Sequence, residues 1–255
     1  MTDEPAIAMA VRNRTRLRYC AWLIHLYTAS GAVAALFTFR YTANSEFRAA
    51  FIAMAFALVI DATDGPLARA VEIREQLPLF DGALLDNIVD YLNYVAAPAF
   101  LMLRASLLEP GLAGLGVAAF VTLASAYGFC RIDAKTADHY FRGFPSYWNL
   151  AAFYLFVFAW PTILNTLVVA ILALMVFAPI KFIYPNRTIP MRPLTLSFAV
   201  IWAIATVALL LEMPAYNRIL LYTSVAFVVY YFVMSLVLQI RTARVTHVSL
   251  GVISE

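Results

Sequence analysis

The chain has 255 residues, 64% of them hydrophobic and only 13% charged, with a net charge of +3. A soluble domain is nearer half apolar and a quarter charged, so a soluble globular fold is excluded and a polytopic membrane protein is expected. Two cysteines, Cys20 and Cys130, are too few for a disulfide or thiolate–metal framework and read as buried small apolar residues. No nucleic-acid partner is expected.

The first segment, residues 1–18, carries Arg12, Arg14, Arg16 and Arg18. Two readings of it stand: a short surface helix whose arginines each favour anionic lipid by about 1 kcal/mol, or a topology signal alone. Eight apolar runs follow, at 20–39, 47–66, 82–103, 112–131, 145–160, 163–182, 194–211 and 219–240. Each has the length of a membrane helix. The first is too long for a cleaved leader, and the others follow it without a soluble domain between. The fifth and sixth come from one stretch, Trp148 to Tyr184. At about 1.5 Å per residue that stretch is about 55 Å long, too long for a single crossing. Pro161 and Asn165 supply the turn.

Placing the N-terminal arginines in the cytoplasm also puts Arg69, Arg74, Arg131, Lys135, Arg142, Lys181, Arg187, Arg192, Arg241 and Arg244 there, leaving Arg40, Arg48, Arg104 and Arg218 outside. The expected architecture is an all-α bundle of about eight transmembrane helices, residues 19–240, with both termini cytoplasmic and a tail at 241–255.

Four aspartates interrupt the second and third runs. Asp61, Asp64, Gly65, Ala68 and Arg69 end one run, and Gly82, Asp86 and Asp90 begin the next. A carboxylate at the bilayer centre costs about 2.5–3.5 kcal/mol on insertion scales, so such residues are retained for a use. Positions 61, 64 and 68 form one helical stripe and 82, 86 and 90 another. The small residues Gly65, Ala68 and Gly82 permit close approach of a second backbone or a ligand. Facing carboxylates repel unless cations neutralise them, and oxygen-only ligands suit Mg²⁺, Mn²⁺ or Ca²⁺ rather than zinc. Arg69 is open to two roles, an ion pair with Asp61 or Asp64, or phosphate binding. Asp81 reads as a helix N-cap.

These residues resemble the motif of the CDP-alcohol phosphotransferases, D-x2-D-G-x2-A-R, a spacer, then G-x3-D-x3-D. The chain matches every fixed position. The twelve residues from Ala70 to Asp81, the eight spans and the segment Gly143-Phe144-Pro145-Ser146-Tyr147-Trp148-Asn149 are similar to the bacterial phosphatidylcholine synthases within that superfamily. The resemblance implies a reaction: CDP-diacylglycerol and choline give phosphatidylcholine and CMP at the cytoplasmic face of the bacterial inner membrane. It also implies roles. Asp61, Asp64, Asp86 and Asp90 hold divalent metal, Mn²⁺ or Mg²⁺. Asp90 is the general base. Gly65, Ala68, Arg69 and Gly82 lie along the CDP moiety. A homodimer is a family-level expectation.

A quaternary ammonium is held by aromatic faces and acidic charge. Tyr91, Tyr94, Tyr140, Tyr147 and Trp148 are the cage candidates, although Tyr and Trp also belong at any membrane interface. Asp133, Asp138 and His139 in the same loop either assist that pocket or are solvated loop residues. Thr28 and Ser30 either contact the nucleotide or bond back to their own helix. His25 reads as a polar packing residue. Two alternatives remain. One is a relative using inositol phosphate, glycerol phosphate or serine, which would draw on Lys135, Arg142, Lys181, Arg187 or Arg192. The other is an ion-coupled transporter.

Overall fold

The computed structural model describes the backbone of residues 4–134, 136, 140–183 and 192–251, and the side chains of 15–134, 136, 140–183 and 192–240. Lys135, Asp138, His139 and Arg187 lie outside the described residues.

Helix α1 (Glu4–Ala43) turns at residues 44–46 into α2 (Phe47–Ala70). A short α3 (Ile73–Gln76) leads to α4 (Gly82–Tyr91), which passes through a π turn (Leu92–Ala96) into α5 (Ala97–Arg104). Then come α6 (Leu112–Cys130), β1 (Tyr140–Arg142), α7 (Trp148–Phe158), α8 (Thr162–Met175), β2 (Lys181–Ile183), α9 (Arg192–Glu212) and α10 (Arg218–Gly251). Five segments are long and apolar enough to cross a membrane: Thr15–Ala43, Phe47–Ala70, Leu112–Cys130, Arg192–Glu212 and Arg218–Ile240. Their outer faces expose residues such as Leu36, Leu123, Ile204 and Ile219, a surface suited to lipid rather than water. The chain is a multi-pass, mostly helical membrane protein.

The other three expected runs are helical but shorter or broken. The run at 82–103 is divided by the π turn. Pro98 has no N–H to give to the Tyr94 carbonyl, and the Asn93 side chain bonds the Val89 carbonyl at 2.9 Å, so the regular ladder is interrupted at this point. Helices α7 and α8 have 11 and 14 residues. They part at Ala159, in left-handed conformation, and Pro161, with the Asn165 amide donating to the Trp160 carbonyl at 3.3 Å. Helix α8 stops at Met175 rather than continuing to residue 182. Pro179 disfavours helix in the residue before it, and the chain beyond pairs as β2 with β1. This antiparallel ladder sets Tyr140 opposite Ile183 and Arg142 opposite Lys181, an addition to the all-α expectation. Helix α2 runs through Pro66 to Ala70, so Ala68 and Arg69 share it with both aspartates. The basic N-terminal stretch continues α1 from Glu4 instead of forming a separate helix.

Arginines tie down one end of the bundle. Arg104 donates to the Ala43 carbonyl at 3.0 Å, and Arg48 donates to the Leu211 carbonyl at 2.7 Å, each satisfying a helix C-terminus. The aspartate motif lies at the other end. Of the two cysteines, Cys20 is half-buried and Cys130 exposed, both free; Cys130 is the last residue of α6, where packing ends.

Candidate active site

Helices α2 and α4 bring Asp61, Asp86 and Asp90 together, with one carboxylate oxygen from each within 4.8 Å of the others. Asp86 and Asp90 stand one turn apart on α4, and Asp61 meets them from α2. At that separation, with an effective dielectric near 20, each pair of charges repels by about 3–4 kcal/mol. The group therefore calls for a cation or a proton. Oxygens bound to one hard cation at about 2.0–2.6 Å lie at most about 5 Å apart, so these three residues fit a divalent ion.

Asp64 stands apart from this trio. It is 5% exposed, set against the Thr28 hydroxyl and the Gly65 N–H, with Arg69 nearby. The cause is helical offset, since a three-residue step turns its side chain towards α1. Among the described residues Arg69 makes no ion pair within 4.0 Å. Thr28 donates to the Ile24 carbonyl and Ser30 to the Tyr27 carbonyl, so both hydroxyls bond back to α1.

Gly82 is held by packing. A Cβ there would come 2.5 Å from Cε1 of His25, whose ring is buried against Phe80 with centroids 4.4 Å apart. Asp81 caps α4, accepting from the Ala83 and Leu84 N–H groups at 3.0 Å. Gly82→Ala is expected to destabilise the protein by about 1–3 kcal/mol through overpacking. Replacing His25 by Ala in the same chain should recover most of the loss in thermal unfolding. A Gly82→Ala variant melting with the wild type would contradict the contact.

The trio opens into a cavity of about 260 Å³. Tyr94, Tyr147 and Phe141 supply aromatic wall, and Arg131 and Arg142 supply positive charge. Tyr94 donates to Oδ2 of Asp61 at 2.6 Å, and its ring lies 6.1 Å from that of Tyr147. The lining includes none of Asp64, Gly65, Ala68, Arg69 and Gly82. Of these, Gly82 packs on His25 and Asp64 lies against Thr28, both of α1.

Three cage candidates lie outside this lining. Tyr91 points at α6, donating to the Thr122 carbonyl at 2.9 Å. Trp148 is fully buried, and its Nε1 donates to Oγ of Ser125 at 2.8 Å. Tyr140 is buried too, beneath the Lys181 ammonium. An indole or phenol at the base of a helix finds a partner in the core when one is within reach. Trp148 instead fixes the wall, because Ser125 also accepts from Ser146 at 3.0 Å. Gly143 is needed there: its φ is +84°, and a Cβ would lie 2.2 Å from the Val176 carbonyl oxygen. The segment Phe144–Tyr147 accordingly forms one wall of the cavity.

Several lining residues were not anticipated as site residues from the sequence, among them Asn87, Phe141, Arg131 and Ser146. Asp133 is bound on both sides. It accepts from Nε and Nη2 of Arg131 at 2.8 and 2.9 Å and from Nη1 of Arg142. Arg131 and Arg142 hold its carboxyl down to about 2, so it is ionised at any physiological pH.

The fold and site define a class: a multi-pass membrane protein with a carboxylate centre between two adjoining helices, open to an aromatic, basic cavity at one end of the bundle. No protein-family model matches the chain. It is similar to the phosphatidylcholine synthase of Legionella pneumophila, with 37% identity over 223 residues covering 85% of this chain and 88% of that protein. It is 43% identical to that of Legionella bozemanae over 189 residues, 71% and 87% of the two chains. It is 35% identical to that of Pseudomonas aeruginosa over 201 residues, 79% and 84%. The chain belongs to the phosphatidylcholine synthase family. It is accordingly a transferase of membrane phospholipid biosynthesis.

Proposed function

We propose that this enzyme condenses CDP-diacylglycerol with choline to give phosphatidylcholine and CMP, at the cytoplasmic face of a bacterial inner membrane. The observation that carries the reading is the grouping of Asp61, Asp86 and Asp90 at the mouth of a cavity walled by Tyr94, Tyr147 and Phe141. Three oxygen ligands suit a hard divalent cation, Mn²⁺ or Mg²⁺, and aromatic faces suit a quaternary ammonium. Asp61, Asp86 and Asp90 would hold a divalent ion, which when bound would neutralise charge on the pyrophosphate and make CMP a better leaving group; Asp64, the fourth acid of the motif, stands behind them on α2.

The chain's own groups do the rest. The glycine-rich face of Gly65, Ala68, Arg69 and Gly82 receives the CDP moiety. The aromatic cavity receives choline, with Tyr94 and Tyr147 nearest the acids and Tyr91 and Trp148 supporting the wall behind. Asp90 takes the choline hydroxyl proton as the oxygen bonds to the phosphorus bearing diacylglycerol. The bond from that phosphorus to the bridging oxygen breaks, and CMP departs with the electron pair. Tyr94, by its bond to Asp61, fixes that carboxylate's orientation. A site at headgroup depth lets the acyl chains stay in the bilayer while CMP leaves to water.

Purified protein given CDP-diacylglycerol and radiolabelled alcohols is expected to release CMP with choline far faster than with serine, inositol phosphate or glycerol phosphate. A preference for a phosphorylated alcohol would replace this reading with that of a relative in the same superfamily. Absence of CMP release with every alcohol would contradict the proposed reaction.

A further inference from the structure

Arg131, at the end of α6, and Arg142, on β1, line the same cavity of about 260 Å³ as Asp61, Asp86, Asp90 and Tyr147. Positive charge in so small a space is adverse to a quaternary ammonium. It also competes with any cation for the carboxylates. Yet neither guanidinium makes a salt bridge to the trio within 4.0 Å. Both are bound to Asp133 instead. Arg131 engages it with a two-pronged fork at 2.8 and 2.9 Å, and Arg142 bonds its Oδ2.

The turn that carries Asp133 is itself anchored. The Arg142 N–H donates to the Ala134 carbonyl at 2.9 Å, which ties the turn to β1, and β1 is paired with β2. The Arg131 guanidinium also lies over the Tyr127 ring, 5.6 Å from its centroid. Asp133 itself does not line the cavity. Its side chain is 54% exposed, against 15% for Arg131 and 42% for Arg142, so it reaches both arginines from the solvent side.

We propose that Asp133 is a positioning residue that sets acceptor specificity. Its carboxylate clamps Arg131 and Arg142, holds them off the Asp61–Asp86–Asp90 group and cancels part of their charge, so that the aromatic cavity admits a cationic alcohol. The inference rests on the choline reading above. It accounts for a basic wall beside a cation's pocket, and it makes the acceptor's charge depend on a residue that touches neither substrate nor metal.

The test is a comparison of steady-state constants in the full-length protein. Asp133→Asn is expected to raise KM for choline by about tenfold or more, the scale of one uncompensated like charge nearby, with kcat and KM for CDP-diacylglycerol within about twofold of wild type. Asp133→Glu should restore choline KM. A merely structural role would move all constants together and overturn the proposal, as would an unchanged choline KM. A shift in KM for CDP-diacylglycerol alone would also overturn it, assigning the arginines to the donor's phosphates. If Asp133→Asn does not fold, the variant with Arg131→Gln, Asp133→Asn and Arg142→Gln decides: choline KM within about threefold of wild type supports the clamp as a neutralising device, and a tenfold rise contradicts it. Wild-type turnover with choline, measured alongside, separates the two failures. Without it the choline reading itself falls; with it and no Asp133 effect, only this inference falls.

Discussion

Asp90→Asn is expected to lower kcat by about 10²–10⁴-fold, the usual contribution of a general base, while the protein still folds. The side chain is half-buried and close to isosteric with its replacement, so packing is conserved. Asp90 also belongs to the carboxylate group, and a loss of metal alone could mimic the loss of a base. Raised Mn²⁺ separates the two. It should recover part of the activity of Asp86→Asn and little of that of Asp90→Asn, because a higher metal concentration offsets weaker binding and cannot replace a proton acceptor. Recovery of Asp90→Asn to wild-type rates in excess Mn²⁺ would remove it from the role of base and leave it as a ligand.

Removal of divalent metal should be as severe. Charge neutralisation at a pyrophosphate is worth several kcal/mol, or on the order of 10³-fold in rate. Excess chelator should therefore abolish CMP formation, and Mn²⁺ or Mg²⁺ added in return should restore it. Full activity in excess chelator would exclude the metal-assisted route. It would also leave about 3–4 kcal/mol of repulsion per carboxylate pair to be relieved by protons or by the protein's own cations.

Much of this arrangement is legible in the chain. The positions of Asp61, Asp86 and Asp90 on two consecutive helices follow from helical spacing. So do the Asp81 cap and the break at Pro161, each of which has a local cause. Asp64 was less legible. The same stripe logic that groups it with Asp61 ignores the turn of a three-residue step, and here that step directs it towards Thr28. The π turn was readable in principle from Asn93 and Pro98 inside an apolar run, since one residue intercepts the ladder and the other lacks a donor.

What resisted reading was long-range. The pairing of β1 with β2 joins segments some forty residues apart, through two strands of three residues with no strand signal of their own. That pairing, with the Ser125 bonds to Ser146 and Trp148, helps set Phe141, Arg142 and Tyr147 around the acids. The tyrosines and tryptophan of an interface look alike in sequence. Hydrogen bonds to Thr122 and Ser125 send Tyr91 and Trp148 away from the cavity, and the bond to Asp61 holds Tyr94 in it.

Binding of Mn²⁺ to the purified protein, followed by electron paramagnetic resonance in the wild type and in Asp61→Asn, Asp86→Asn and Asp90→Asn, addresses the carboxylate centre without relying on turnover. The expected result is saturable binding in the wild type, weakened by about tenfold or more in each variant, as loss of one charged ligand from a small oxygen site requires. Wild-type affinity retained in all three variants would contradict a metal centre at these aspartates.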